Sequence, residues 1–203
     1  IPEYVDEKYI SEMENALMDE DISSADDMLQ DFACEPCRPY RMLAITFTNK
    51  AANEIKSRLA SALDDEEAAK DIWAGTFHSI CMRILRANCT LIGYEKEFTI
   101  YDADDTKKAV SAAMKRCNID EKQMPLKSVI NAISRAKDKL LTPKAFAEEA
   151  ASDFRMSKIA RIYAEYQKTM KASNAMDFDD IIVNTVDLFK QNPDVLEFYR
   201  KKF

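Results

Sequence analysis

Two glycines in 203 residues, Gly75 and Gly93, exclude more than any other feature of this chain. Glycine is the residue that lets a backbone approach phosphates closely. A phosphate-cradling loop of the G-x-x-x-x-G-K-[ST] kind therefore has no place here, and neither does a dinucleotide fingerprint with three glycines in six positions. Whatever this chain does, it does not grip a nucleotide in that way.

Enough apolar material remains for a genuine core, since 47% of the residues are hydrophobic. No run approaches the roughly eighteen consecutive apolar residues of a membrane span. The opening IPEYVDEKYISEMENALMDED is acidic where a signal peptide is basic and then apolar. A cytoplasmic protein with no membrane partner is expected. Five cysteines (Cys34, Cys37, Cys81, Cys89, Cys117) and a single histidine, without paired C-x-x-C spacing, argue against a disulfide framework or a zinc site. The lone C-E-P-C at Cys34 and Cys37 leaves a redox or metal role open only outside the usual βαβ setting.

The net charge of −7 is unevenly spread. Residues 1–40 carry −10 and residues 41–203 carry +3, so only the second part has a balance suited to approaching phosphates.

The acidic part reads as two short amphipathic helices over residues 6–20 and 23–33, followed by a proline-rich linker, C-E-P-C-R-P-Y. The pattern then changes. Residues 42–48, Met-Leu-Ala-Ile-Thr-Phe-Thr, read as a buried strand, and Thr48 or Asn49 can cap the helix that follows, whose apolar face is Ala52, Ile55, Leu59 and Leu63. A second strand over 72–76 leads into a second helix running to Gly93. This is the grammar of a parallel α/β sheet, but two strands cannot close one, so this part reads as incomplete. From about residue 98 the chain reads as helical: Asp102, Pro125, Pro143, Asp177 and Pro193 each mark a helix start, and a long helix covers about 153–172.

Three strings carry chemistry. Thr46-Phe47-Thr48-Asn49-Lys50 lies at a strand end and a helix start, where free N–H groups favour phosphate and an aromatic ring offers a base a stacking face. Thr76-Phe77-His78-Ser79 repeats that layout at the next strand end, and side by side the two would form a shelf for a single strand. The plainer reading of both is a capped strand-to-helix turn, and a lone His78 cannot anchor a histidine metal site. Asp177-Phe178-Asp179-Asp180 crowds three carboxylates at a helix N-terminus. Capping explains them, and a carboxylate nuclease using Asp177, Asp179 and Asp180 is the sharper alternative. Basic residues gather around 127–144, with Lys127, Arg135, Lys137, Lys139 and Lys144. Of these, Arg135, Lys137 and Lys139 are candidate phosphate contacts.

Together these strings resemble the UvrD/PcrA/Rep-type superfamily 1 DNA helicases. LAITFTNKAANEIKSRL is similar to their motif Ia, WAGTFHSICMRILR to the T-F-H-S segment after it, and AMDFDDII to the segment shortly before their Walker B strand. EFTIYDADDTKKAV and ISRAKDKLLTPKAFAEEA are similar to the helical insertion called domain 1B. The resemblance covers about residues 39–203. It implies a mainly α fold, a 1B-type insertion with a partial remnant of a P-loop NTPase (RecA-like) α/β core. The divisions are an acidic insertion or linker at 1–40, core with motif Ia and T-F-H-S at 41–97, the 1B-type subdomain at 98–176, and return helices at 177–203.

For function, the resemblance implies a parent that moves 3′ to 5′ along single-stranded DNA on ATP and Mg²⁺ and separates duplex. Thr46, Phe47, Thr48, Asn49, Lys50, Thr76, Phe77, His78 and Ser79 fall on its DNA-lining positions. Walker A, Walker B and the arginine fingers have no counterpart in these residues, so the chain reads as an excised piece. It is expected to have no catalytic residue, metal ligand or cofactor of its own and to bind DNA, single-stranded or at a junction with duplex. The acidic segment could meet a protein partner. The alternative is a helical protein-interaction module that never touches DNA.

Overall fold

The computed structural model describes residues 10–12, 15, 37–63 and 66–203. Of the two acidic helices expected over 6–20 and 23–33, all but helical residues 10–12 and 15 lie outside that set, as does Cys34.

The shift to β-branched residues after Met42 begins a sheet. Strand β1 (Leu43–Thr46) pairs in parallel with β2 (Trp73–Thr76), in register from Leu43 opposite Trp73 to Thr46 opposite Thr76. Parallel pairing needs a crossover, here supplied by helix α1 (Asn49–Leu63) and the short α2 (Glu66–Asp71). α2 has no counterpart in the sequence reading because its six residues, EEAAKD, carry no apolar stripe. Helix α3 (Phe77–Asn88) follows β2 directly. It tightens into a 3₁₀ turn at Cys89–Ile92, which Gly93 closes in the left-handed region at φ 73°.

A second parallel pair, β3 (Thr99–Ile100) with β4 (Ala175–Met176), brackets four helices: α4 (Ala103–Arg116), α5 (Leu126–Asp138), α6 (Pro143–Glu149) and α7 (Phe154–Ala172). Helices α8 (Phe178–Gln191) and α9 (Pro193–Lys202) follow. The expected starts hold for local reasons. Asp102 accepts from the N–H groups of Asp104 and Asp105, Asp153 does the same for Arg155 and Met156, and Pro143 and Pro193 occupy first-turn positions where a missing N–H costs nothing. Two-residue strands are too short to leave a periodic signal, and the sequence reading contains neither β3 nor β4.

Among the described residues two hydrophobic cores result. One gathers α4 to α7 around Met114, Ile133, Phe146, Ile162, Tyr163 and Tyr166. The other packs β2, α3, α8 and α9 around Trp73, Leu85, Phe98, Ile181, Leu188 and Tyr199. They meet at β4, where Ala175 belongs to the first and Met176 to the second. The fold is thus mostly helical with two small parallel sheets. Among the described residues no helix is long and apolar enough to cross a membrane.

Candidate nucleic-acid interface

The parallel register places the ends of β1 and β2 side by side, so the residues that leave them are neighbours. Thr46 lies opposite Thr76, and the rings of Phe47 and Phe77 sit 5.4 Å apart, tilted by 37°. Phe47 is 86% exposed and Phe77 43% exposed. An aromatic side chain that packs on one neighbour and otherwise faces water gains little of its possible burial, about 2 kcal/mol or more for a full Phe, so packing does not explain it.

The polar members of both strings first serve their helices. Thr48 Oγ1 accepts from the N–H of Ala51, which makes Thr48 rather than Asn49 the cap of α1. Thr76 Oγ1 accepts from the N–H of Ser79, and Ser79 Oγ donates back to the Thr76 carbonyl. Gly75 is required by that last bond, because a Cβ there would overlap Ser79 Oγ. The caps are neutral hydroxyls, and neither helix has an acid in its first turn. Among the described residues, two helix N-termini thus lack a first-turn acid, beside exposed Asn49 and Lys50.

His78, next to Phe77, packs edge-on against Phe178 at 5.7 Å. Phe178 is 53% exposed and lies in the first turn of α8. Two ring pairs thus flank the start of α3, Phe47 with Phe77 and His78 with Phe178. In the D-F-D-D string the acids draw attention in the sequence, whereas the structure adds the aromatic member, Phe178. An exposed Phe between two capping acids is the signal that was available. Phe178 also walls an apolar cleft of about 760 Å³ between the first turns of α4, α5 and α8, with Lys107 and Lys127 at its edge.

The acids of that string have a different fate. Asp177 and Asp180 form a reciprocal capping box, and both are buried against Lys137. Lys137 Nζ lies 2.6 Å from Asp177 Oδ2 and 2.8 Å from Asp180 Oδ1. Tyr166 donates its hydroxyl to Asp177 Oδ2 at 2.6 Å, and Gln167 donates to Asp180 Oδ1 at 2.9 Å. Burial and the Asp177 charge push the Tyr166 phenol well above its ordinary pKa, so it remains a donor.

Lys137 is therefore corrected as a phosphate contact. It is 1% exposed and its ammonium is committed to two carboxylates, because its position on α5 faces the junction of the two cores. Arg135 and Lys139 are exposed, but they line another cleft together with Asp138, Glu149 and Asp153, whose charges oppose theirs. A nuclease reading loses two of its three carboxylates to this pairing, and only Asp179 is left outside it. Among the described residues no group of three or more His, Cys, Asp or Glu is placed to hold a metal ion.

The family model for the UvrD/REP helicase N-terminal domain matches residues 25–203. The ATP-dependent DNA helicase PcrA of Staphylococcus aureus is 45% identical over 165 residues, 81% of this chain and 22% of that protein. The ATP-dependent DNA helicase PcrA of Staphylococcus epidermidis is 44% identical over the same shares. The chain spans about a fifth of the length of these curated relatives.

Proposed function

The chain belongs to the UvrD/REP helicase N-terminal domain family, and from that premise we propose that it supplies the single-strand DNA shelf of an ATP-driven DNA helicase. One observation carries this reading: the exposed Phe47 and Phe77 rings, aligned by the parallel register at two strand ends. Bases stack on such rings whatever their sequence, and phosphates are drawn to the hydroxyl-capped N-termini of α1 and α3 and to Lys50. Thr46, Thr48, Asn49, Thr76 and Ser79 line the shelf with polar groups. Thr76 and Thr48 keep hydroxyl protons to donate after capping. His78 and Phe178 extend it toward the helical region.

In this reading residues 41–97 with 177–203 are the α/β remnant of the first motor domain and residues 98–176 its 1B-type insertion. Gly75 serves a strand-to-helix turn and Gly93 a left-handed helix end. That supports assigning ATP and Mg²⁺ to parts of the relatives that this chain does not match. The purified chain is expected to turn over no ATP. Its substrate is single-stranded DNA, alone or at a junction with duplex.

Fluorescence anisotropy with a labelled oligothymidine tests the shelf. Phe47→Ala and Phe178→Ala should each weaken binding about tenfold, since stacking contributes roughly 1–3 kcal/mol per base. With few cations on the shelf, the dependence on salt should be shallow, a slope of about −0.7 for each phosphate neutralised. No binding at low salt leaves the alternative of a helical protein-interaction module.

A further inference from the structure

Lys137 reaches the first turn of α8 from the neighbouring helix α5. Its side chain is fully buried, it comes from the last turn of α5, and its two partners are the capping acids of α8. We propose that Lys137 is a positioning residue. Through Asp177 and Asp180 it fixes the first turn of α8 and holds the Phe178 ring against His78. The consequence for DNA rests on the function proposed above, but the geometric claim does not.

The carboxylate oxygens divide the work. Asp177 Oδ1 accepts from the N–H of Asp180 at 2.8 Å, and Asp180 Oδ2 accepts from the N–H of Asp177 at 3.2 Å. These two bonds complete the capping box and suffice for the helix. The remaining oxygen of each acid points outward to other elements. Asp177 Oδ2 takes Lys137 and Tyr166, and Asp180 Oδ1 takes Lys137 and Gln167. One turn of α8 is thereby tied to α5 and α7 at four points.

Core packing of Ile181 and Leu188 against Ile84 and Leu85 of α3 seats the body of α8, and the network acts on its first turn. The strand that delivers the chain to α8 is β4, two residues long, held to its partner segment by Thr99 to Asn174 and Tyr101 to Met176 bonds. So short a pairing sets the position of the chain but constrains its rotation weakly. Phe178 lies between the two acids, half exposed, with His78 as its aromatic neighbour. Apolar residues would fill the same space at lower desolvation cost, and a buried charge with directional partners is suited to fixing one geometry. Burial pushes Asp180 up, while Lys137 holds Asp177 below the ordinary carboxylate range, as a single shared cation requires.

His78 is the only histidine in the chain, so its imidazole proton resonances form one resolved NMR signature. Phe178→Leu defines the shift produced by losing the neighbouring ring. Lys137→Met should move the His78 signals at least halfway toward that value, and Tyr166→Phe, which preserves volume and removes one bond, should move them less in the same direction. Phe146→Leu, a core change in α6, should leave them in place although it also lowers stability. If Lys137→Met does not fold, Tyr166→Phe carries the comparison. Unmoved His78 signals in the network variants overturn the proposal, as does an equal shift in Phe146→Leu or no shift in Phe178→Leu. In a parallel oligothymidine titration, Lys137→Met and Phe178→Leu should weaken binding by the same factor, and their combination by no more. A wild-type chain that fails to bind sinks the proposed function and leaves the NMR result to decide this one.

Discussion

At the first turn of α8 two carboxylates share one ammonium, and the shortage falls on Asp180. Burial raises its pKa, Lys137 offsets this in part, and repulsion from Asp177 adds to the rise. Burial also opposes the charge on Asp177, but the Lys137 ammonium with bonds from Tyr166 and the Asp180 backbone outweighs it, so that pKa falls. The two acids therefore link stability to pH with opposite signs. Asp177 contributes stability that is present above the ordinary aspartate value of about 4 and lost as pH falls through its depressed folded value. The contribution of Asp180 is full below about 4 and is lost as pH rises through its raised folded value. Asp180→Asn removes that second loss, so its stability relative to wild type should improve as pH rises from about 4 through the raised folded value of Asp180. Asp177→Asn keeps a competent cap but leaves Lys137 half paired. It should cost about 3 kcal/mol at neutral pH and less in acid. Urea melts of the three proteins across that range are the measurement, and parallel pH profiles for wild type and Asp180→Asn would refute the assignment.

Between elements, the strand-to-helix junction at β2 and α3 depends on one missing Cβ. The Ser79 hydroxyl occupies the space above Gly75 in order to reach the Thr76 carbonyl. Gly75→Ala should displace it and lose that hydrogen bond, about 1 kcal/mol. In a Ser79→Ala background the same substitution should cost nothing through this route, and equal costs in both backgrounds would show that the crowding lies elsewhere. Elements of this size were readable in advance because their signals are local. Asp102 and Asp177 announce helix starts by side-chain chemistry, and the apolar run before Thr46 announces a strand, though not the buried one expected over 42–48, since it ends at Thr46 with Leu43 and Ile45 exposed. β3, β4 and α2 were not readable, being too short to express a period. The shelf was half readable: Phe47 and Phe77 stand at strand ends, but their 5.4 Å approach depends on register, which no single string contains. Lys137 was misread for the same reason. Its neighbours Arg135 and Lys139 face water, and only the placement of α8, forty residues later, turns Lys137 inward.

The described residues of the molecule form two cores, which meet at β4. Ala175 and Met176 are adjacent in sequence yet belong to different clusters, and the Lys137 network lies one residue beyond them. Helices α4 to α7 bury their apolar faces on one another and α3, α8 and α9 do likewise, so each cluster has much of what a cooperative unit needs. A buried charge loses its compensation if either core withdraws, so the network is expected to couple the melting of the two. The single tryptophan gives a way to separate the two. Trp73 belongs to the second core, between Tyr199, Phe203 and Arg83, so its fluorescence follows that core alone, while far-UV circular dichroism follows all the helices. Coincident transitions are expected for the wild type. In Lys137→Met the two probes should part by roughly 5 °C or more, about 1 kcal/mol for units of this size. A variant that melts at lower temperature with the probes still coincident would mean that the apolar contact at β4 alone couples the cores, and that the network sets the angle of α8 without governing cooperativity.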